Sequence, residues 1–291
     1  MLLGALLGCI APAKGPAAPP AEAALSVPPL RSVAGNRKIG AAVETQRLRE
    51  PAFAQVLAAN FNSLTPENEM KWFSIEPAPG QFAFRAGDAL VAFADGPGGE
   101  LRSDSPFSAL GPSYITDAFR AAHEADPAAV LFYNDYNIEG PGKPKTEAVY
   151  RLVQQLKAAG VPIGGVGFQM HVDPRDWPDP AAIRANLARF AALGLAVEIT
   201  EMDVPVGEIP GDRAHKLDEQ KRITHDVVAA CVAVPACSGI TFWGVTDRYS
   251  WLNDPHWGQL RGRGPHYPLP FDADYRPKPM AAGIADALAG R

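Results

Sequence analysis

A glutamate ends a strongly apolar run of the chain, Ala196-Val197-Glu198-Ile199-Thr200-Glu201. Such a run is typical of a buried strand, where an unpaired carboxylate is costly. Glu201 is therefore either a salt-bridged structural residue or an active-site carboxylate. The run alone leaves both interpretations open.

Aromatic faces and hydrogen-bonding groups follow the other apolar runs, at Gln169, His171, Trp243, Tyr249 and Trp251. A pyranose ring is bound by stacking on its C–H face and by polar contacts to its hydroxyls. A histidine alone is more often a satisfied core residue than a catalyst, and a tryptophan alone is more often core packing. Their shared placement at predicted strand ends indicates a sugar site.

The elements that would position these residues alternate between strand-like and helix-like patterns, which is typical of βα units. Helical spacing of apolar residues covers residues 146–159, 180–193 and 220–232. The apolar runs cover residues 130–136, 161–171, 195–203 and 239–247. Consecutive βα units predict parallel strands covered by helices, in either a doubly wound sheet or a (β/α)8 barrel.

Polar residues recur at the carboxyl end of every predicted strand, where a barrel builds its active site. No glycine-rich phosphate loop follows any strand, which argues against a dinucleotide-binding fold. We therefore predict an α/β TIM-type (β/α)8 barrel. Glu198 is then expected on the opposite strand face from Glu201, toward the helical layer or the bottom of the barrel. Before residue 130 only residues 39–43 and 61–65 are convincing strands, so the N-terminal half holds too few units.

Composition narrows the function classes. The 291 residues are 47% hydrophobic, and 27 basic against 32 acidic residues give a net charge of −5 without a long basic run. Nucleic acid is therefore not an expected partner. The Cys and His spacing does not match a metal site, so no metal or other cofactor is expected.

The first ten residues, MLLGALLGCI, are apolar and precede an Ala/Pro-rich stretch. We interpret residues 1–30 as a signal-like segment and linker, and residues 31–291 as the barrel domain. The expected location is secreted or periplasmic. Leu6-Leu7-Gly8-Cys9 resembles a lipoprotein cleavage box, so a lipid anchor at Cys9 in a bacterial outer envelope is the alternative. Cys231 and Cys237 fit a short disulfide loop in an exported protein, or else a pair of buried thiols.

Five motifs, in order, resemble those of family 10 xylanases, from about Gly40 to the C-terminus. They are Leu64-Thr65-Pro66-Glu67-Asn68-Glu69-Met70-Lys71-Trp72, Asn134-Asp135-Tyr136-Asn137, Gly167-Phe168-Gln169-Met170-His171, Ile199-Thr200-Glu201-Met202-Asp203 and Trp243-Gly244-Val245-Thr246-Asp247. The resemblance implies a retaining endo-1,4-β-xylanase that acts on xylan or xylo-oligosaccharides without a cofactor. Glu201 would be its nucleophile, with His171 hydrogen-bonded beside it.

The same resemblance implies the sugar contacts. Glu67, Asn68 and Lys71 would bind the glycone side, helped by Gln169, Trp243 and Trp251. Asn134 and Tyr136 would line the aglycone side. The Cys231–Cys237 loop also matches a disulfide common in the family.

One part of the family pattern is missing from the chain. The strand ending in Trp-Asp-Val-Val-Asn-Glu, whose Glu is the acid/base, is absent, together with the strand and helix before it. About two βα units are therefore missing after residue 94. Ala92-Phe93-Ala94 fits the family pattern on both sides of the gap, which suggests an in-frame deletion between two short repeats. Glu100 and Asp95 are the nearest carboxylates, on a Gly/Pro-rich loop that is poorly suited to precise positioning.

Two consequences are expected from this loss. The barrel would be incomplete or rearranged, and its open edges would invite domain-swapped association. Activity would be impaired, although substrates with activated leaving groups need no acid. The alternatives are a non-catalytic protein that binds xylan or xylo-oligosaccharides and a remnant that folds poorly.

Overall fold

The computed structural model describes residues 25–71, 74, 113–207, 209–253 and 265–291. In this part of the chain six strands form one parallel sheet in the order β2-β1-β6-β5-β4-β3. The strands are β1 (Lys38–Val43), β2 (Ser63–Pro66), β3 (Phe132–Asp135), β4 (Gly165–Phe168), β5 (Ala196–Met202) and β6 (Cys237–Phe242). β1 and β6, the first and last of these strands along the chain, are neighbours in the sheet, as in a parallel sheet that curls toward a barrel.

Helices cover this sheet, and their first turns follow local sequence signals. The described helices are α1 (Leu30–Val33), α2 (Pro51–Asn60), α3 (Tyr114–Ala125), α4 (Pro144–Ala158), α5 (Pro180–Ala191), α6 (Arg213–Val232) and α7 (Pro279–Leu288). Four of them begin at proline, whose fixed φ and missing N–H suit the first helical position. Asp179 and Asp212 cap α5 and α6 by accepting backbone N–H groups. None of the described helices is long and apolar enough to cross a membrane.

The strand order confirms the predicted incomplete barrel. β2 and β3 end the order, and each pairs with one other strand among the described residues. The chain joins them through residues 67–131, the connection in which the missing units were predicted. Asp95 and Glu100 lie outside the described residues, as does Cys9.

The predicted strands are present, and the four predicted from residue 130 onward are shorter than expected. The apolar run at residues 161–171 contains only the four-residue strand β4, because Met170 adopts a positive φ of 63° that breaks the extended chain. In the run at residues 239–247, strand β6 likewise ends at Phe242. Shortly afterwards the backbone departs from the extended conformation, with Gly244 at a φ of 135°. Helix α6 begins at Arg213, earlier than the predicted residue 220.

Two contacts of Glu198 agree with the expectation that its side chain points away from the carboxyl ends of the strands. Glu198 accepts a hydrogen bond from Ser238 Oγ at 2.6 Å and lies 3.8 Å from Lys38 Nζ. Lys38 and Ser238 stand near the amino ends of β1 and β6, so Glu198 points away from the carboxyl edge. The structure also contains the Cys231–Cys237 disulfide, which joins the end of α6 to the start of β6.

Candidate active site

Glu201 is completely buried at the carboxyl end of β5, and two side chains hold its carboxylate. Asn134 Nδ2 donates to Glu201 Oε1 at 3.0 Å, and His171 Nε2 lies 3.2 Å from Oε2. These partners come from the ends of β3 and β4, so three neighbouring strands meet at one carboxylate. The hydrogen bonds offset part of the cost of burying it.

Two consecutive residues of β5 bond to the same asparagine. Pairing between β5 and β6 slips between Ile199 and Met202. Thr200 Oγ1 donates to Asn134 Oδ1 at 2.6 Å, while Glu201 accepts from Nδ2 of the same amide. Adjacent residues of a regular strand point to opposite faces, whereas an irregularity redirects one of them. The amide is thus fixed from both ends and presents a defined donor to Glu201.

His171 lies between two carboxylates and two indole rings. Its Nδ1 is 2.8 Å from Asp203 Oδ2, which also accepts a hydrogen bond from Trp251 Nε1 at 2.8 Å. The rings of Trp243 and Trp251 meet the imidazole edge-to-face at centroid distances of 6.4 and 5.3 Å. Burial lowers the pKa of His171, but the charges and hydrogen bonds of Asp203 and Glu201 outweigh it and raise the pKa to about 9. At neutral pH both ring nitrogens therefore donate.

The predicted glycone residues form a second polar cluster after β2. Lys71 Nζ donates to Asn68 Oδ1 at 2.7 Å, and Asn68 Nδ2 donates to Glu44 Oε1 at 3.3 Å. Burial and the nearby carboxylates of Glu44 and Glu69 raise the pKa of Glu67 to about 7, against the opposing charge of Lys71. β2 pairs with β1, which pairs with β6, so this cluster and Trp243 follow neighbouring parts of the same edge.

The remaining predicted contacts also follow strand ends. Gln169 is 4% exposed, and its side-chain oxygen has no hydrogen-bond partner among the described residues, which leaves it able to accept from a hydroxyl. Tyr136 is 54% exposed, and the Lys145 ammonium lies 3.4 Å from its ring centroid. Tyr249 contributes elsewhere: its hydroxyl donates to Glu50, and the Arg47 guanidinium covers one face of its ring.

Two residues near the site had no assigned role in the sequence analysis. Asp203 orients the His171 ring, and Glu44 accepts from the Asn68 amide. Asp203 was recognisable as a strand-end carboxylate two positions after Glu201, which puts it on the same side of an extended chain. Glu44 was recognisable in the same way, as the carboxylate that directly follows the predicted strand at residues 39–43, although its partner Asn68 lies 24 residues away.

Comparison with known proteins places this arrangement in a family. The sequence profile of glycosyl hydrolase family 10 matches residues 30–105 and 92–287. The chain belongs to glycosyl hydrolase family 10. It is thus a glycoside hydrolase, and its curled sheet matches the TIM-barrel structures of the family.

Individual relatives of this family 10 protein match along most of its length. Endo-1,4-beta-xylanase C of Phanerodontia chrysosporium is 30% identical over 318 residues, covering 88% of this chain and 77% of that protein. The crystal structure of native xylanase 10B from Thermotoga maritima gives a TM-score of 0.80 at 32% identity, covering 90% and 98% of the two chains. Xylanase 10B from Thermotoga petrophila RKU-1, solved with xylobiose, gives the same TM-score and identity and covers 90% and 97%.

Proposed function

We propose that this family 10 hydrolase acts on xylan and xylo-oligosaccharides by a retaining mechanism with Glu201 as nucleophile. The observation that carries the proposal is the completely buried Glu201 carboxylate, held by Asn134 and His171 at the carboxyl edge of the sheet. The substrate class is supported by the relatives named as xylanases and by the xylobiose bound to the Thermotoga petrophila enzyme. The aromatic rings beside His171 and the polar cluster at Glu67, Asn68 and Lys71 suit sugar binding.

In the proposed first step, a Glu201 carboxylate oxygen attacks the anomeric carbon while the bond to the leaving oxygen breaks. A covalent glycosyl-enzyme results, and an acceptor then displaces Glu201 from the opposite side to restore the configuration. Asn134 and a protonated His171 position the carboxylate throughout. Glu67, Asn68 and Lys71 would hold the glycone hydroxyls, with Gln169, Trp243 and Trp251 around the reacting sugar. Asn134 and Tyr136 would face the aglycone side.

We further infer that the chain lacks the family's acid/base carboxyl and that its activity on xylan is impaired. Three observations support the loss. The alignment with Phanerodontia chrysosporium xylanase C spans 318 residues, more than the 291 of this chain. The family profile matches in two pieces that overlap at residues 92–105. β2 and β3, between which the missing strands would lie, end the described strand order.

Leaving-group chemistry makes this proposal testable. An alkoxide leaves a xylan chain poorly without a proton, whereas an activated phenol leaves as phenolate. In the second step, water needs a base but azide, an anionic nucleophile, needs none. The expected enzyme therefore forms the glycosyl-enzyme quickly from 2,4-dinitrophenyl β-xylobioside and then stalls.

The experiment measures pre-steady-state phenolate release with and without azide, beside unsubstituted xylan. A stoichiometric burst, faster turnover with azide, a β-xylobiosyl azide product and untouched xylan are expected. Glu201→Ala should abolish the burst, while Glu198→Ala, on the same strand but directed away from the site, should keep it. Absence of a burst in the unaltered chain would contradict the nucleophile assignment, and brisk xylan cleavage would contradict the loss of the acid.

A binding protein for xylan or xylo-oligosaccharides is the second candidate. It is favoured by the Glu67, Asn68 and Lys71 cluster, whose described contacts involve β1 and β2 rather than the missing segment. Calorimetry with xylotetraose separates the two candidates, because heat of binding without any burst from the aryl substrate identifies the binding protein.

We also propose that the protein is exported, with the Cys231–Cys237 disulfide as support, since such bonds persist in oxidising compartments. Fractionation of expressing bacteria tests this. Palmitate labelling that disappears in Cys9→Ser distinguishes the lipid-anchored form from the secreted one.

A further inference from the structure

The chain takes an unusual backbone conformation immediately before His171. Met170 adopts a φ of 63°, in the left-handed region that residues other than glycine seldom visit, and its side chain is buried. Parallel pairing resumes directly afterwards, with a bridge between His171 and Asp203. The kink at Met170 therefore sets the direction in which the imidazole leaves the chain. Such a conformation persists only where its surroundings enforce it.

One side chain outside the described site holds this kink. The Met170 N–H donates to Glu139 Oε1 at 3.0 Å. Glu139 lies in the connection between β3 and α4 and is half-buried. The pKa of Glu139 is raised, because burial outweighs the backbone hydrogen bonds, including that of Met170, and the nearby His171 charge.

The backbone that carries Glu139 is fixed in turn by α5. The completely buried Asn186 donates from Nδ2 to the carbonyl oxygens of Ile138 at 2.7 Å and Glu139 at 3.1 Å. Arg189 Nε donates to Asn186 Oδ1 at 2.8 Å, and its two terminal nitrogens pair with Glu147 at 2.8 Å. Side-chain and backbone contacts thus lead from α4 and α5 to the residue before His171.

We propose that Glu139 is a positioning residue for the reaction: its carboxyl fixes the Met170 backbone and thereby aims the His171 ring at Glu201. The inference rests on the proposed function of Glu201 and adds a residue to it. Among the described residues, the groups that face His171 include Glu201 and Asp203 from β5 and its end, Trp243 and Trp251 after β6, and Glu139 itself. Without the Glu139 acceptor, Met170 relaxes toward negative φ and the imidazole turns away from both carboxylates.

Three variants test the proposal in the full chain. Glu139→Ala removes the acceptor, and Glu139→Gln keeps a carbonyl oxygen in its place. Glu219→Gln is the matched control, because it weakens a comparable Glu–Arg pair, with Arg222 on α6, that has no contact with the Glu139 backbone or Met170. The measurements are amide exchange at Met170, the pKa of the His171 ring by NMR titration, and the rate of the phenolate burst.

For Glu139→Ala we expect faster exchange at Met170, a His171 pKa lowered by about 1, and a burst slowed by about tenfold, since misplacement of a catalytic group by fractions of an ångström carries such penalties. Glu139→Gln should return the exchange at Met170 and the burst rate toward the unaltered values and should recover part of the His171 pKa, the remainder being lost with the Glu139 charge. Glu219→Gln should leave all three unchanged. An unchanged His171 pKa in Glu139→Ala, or a glutamine variant as defective as the alanine variant, would overturn the proposal. A silent burst in the unaltered chain would instead count against the proposed nucleophile, while the two NMR measurements still decide the role of Glu139.

Discussion

Substituting Gly167 by alanine should damage the candidate site through Asn134. Gly167 lies in β4 opposite Asn134 of β3. A Cβ at Gly167 would stand 2.6 Å from Asn134 Oδ1 and 2.8 Å from Thr200 Cγ2, closer than real contacts allow. The Asn134 amide must therefore turn or shift. Either movement breaks its hydrogen bond to Glu201 Oε1.

The size of the effect follows from that hydrogen bond. A hydrogen bond to a charged group contributes about 1.5–3 kcal/mol. If all of it serves to hold the carboxylate for attack, its loss slows glycosyl-enzyme formation by about 10- to 150-fold. Crowding a close-packed interior costs a further ~1–3 kcal/mol of folding stability.

A double-mutant cycle with Asn134→Ala separates these effects. The burst rate and the unfolding free energy are measured for Gly167→Ala, Asn134→Ala and the double variant. Alanine in place of Asn134 removes the clash with Oδ1 and leaves only the close contact with Thr200 Cγ2. Gly167→Ala should therefore cost less rate in that background than it does alone. Gly40→Ala is the control, since its Cβ would crowd Thr241 Oγ1 at 2.7 Å and should lower stability with little effect on the burst rate. Rate losses that multiply in the double variant would refute the reasoning.

Three further predictions concern charge and cross-linking. The pKa of Glu67 is raised to about 7. Affinity for xylobiose should therefore rise about fivefold from pH 6 to pH 8, as the carboxylate becomes a charged acceptor. Titration calorimetry checks this, and Glu67→Gln should show no such rise. The pKa of His171 is raised from 6.5 to about 9. Its contribution of about 3 kcal/mol to the free energy of unfolding is therefore fully present below pH 6.5 and is lost as pH rises to 9. Denaturant unfolding across that range should show the decline, which His171→Asn flattens. Replacing Cys231 and Cys237 together by serine should lower the unfolding free energy by about 2 kcal/mol, as expected for so short a loop; an unchanged value would mean that the bridge adds no stability.

Strand positions and the active edge were predictable because burial and pairing act through local sequence. Parallel strands covered by helices must be apolar, and their carboxyl ends converge, so a polar residue after an apolar run is visible from spacing alone. Gln169, Glu201 and Trp243 were found in this way. The same reasoning placed Glu198 away from the site, where it contacts Lys38 and Ser238.

The finer geometry was not predictable, because it depends on contacts between distant residues. Thr200 and Glu201 both reach Asn134 on β3, and nothing in the local sequence marks these contacts or the register shift between β5 and β6. The kink at Met170 is equally hidden, since no glycine signals a positive φ there. Glu139 stabilises that kink from 31 residues away.

The order of the sheet explains how one deletion could separate binding from catalysis. Glu201, the proposed nucleophile, and its partners lie at the ends of β3, β4 and β5, and the proposed glycone cluster follows β2. These strands are joined through β1 and β6, so an uninterrupted series of paired strands connects Glu67 to Glu201 and Asn134 without passing through the connection between β2 and β3. Removing the strands between β2 and β3 would take away the acid/base without breaking that series. The nucleophile and the glycone contacts can therefore stay in place, which is why the burst and sugar affinity, rather than xylan hydrolysis, are the properties that reveal what this chain retains.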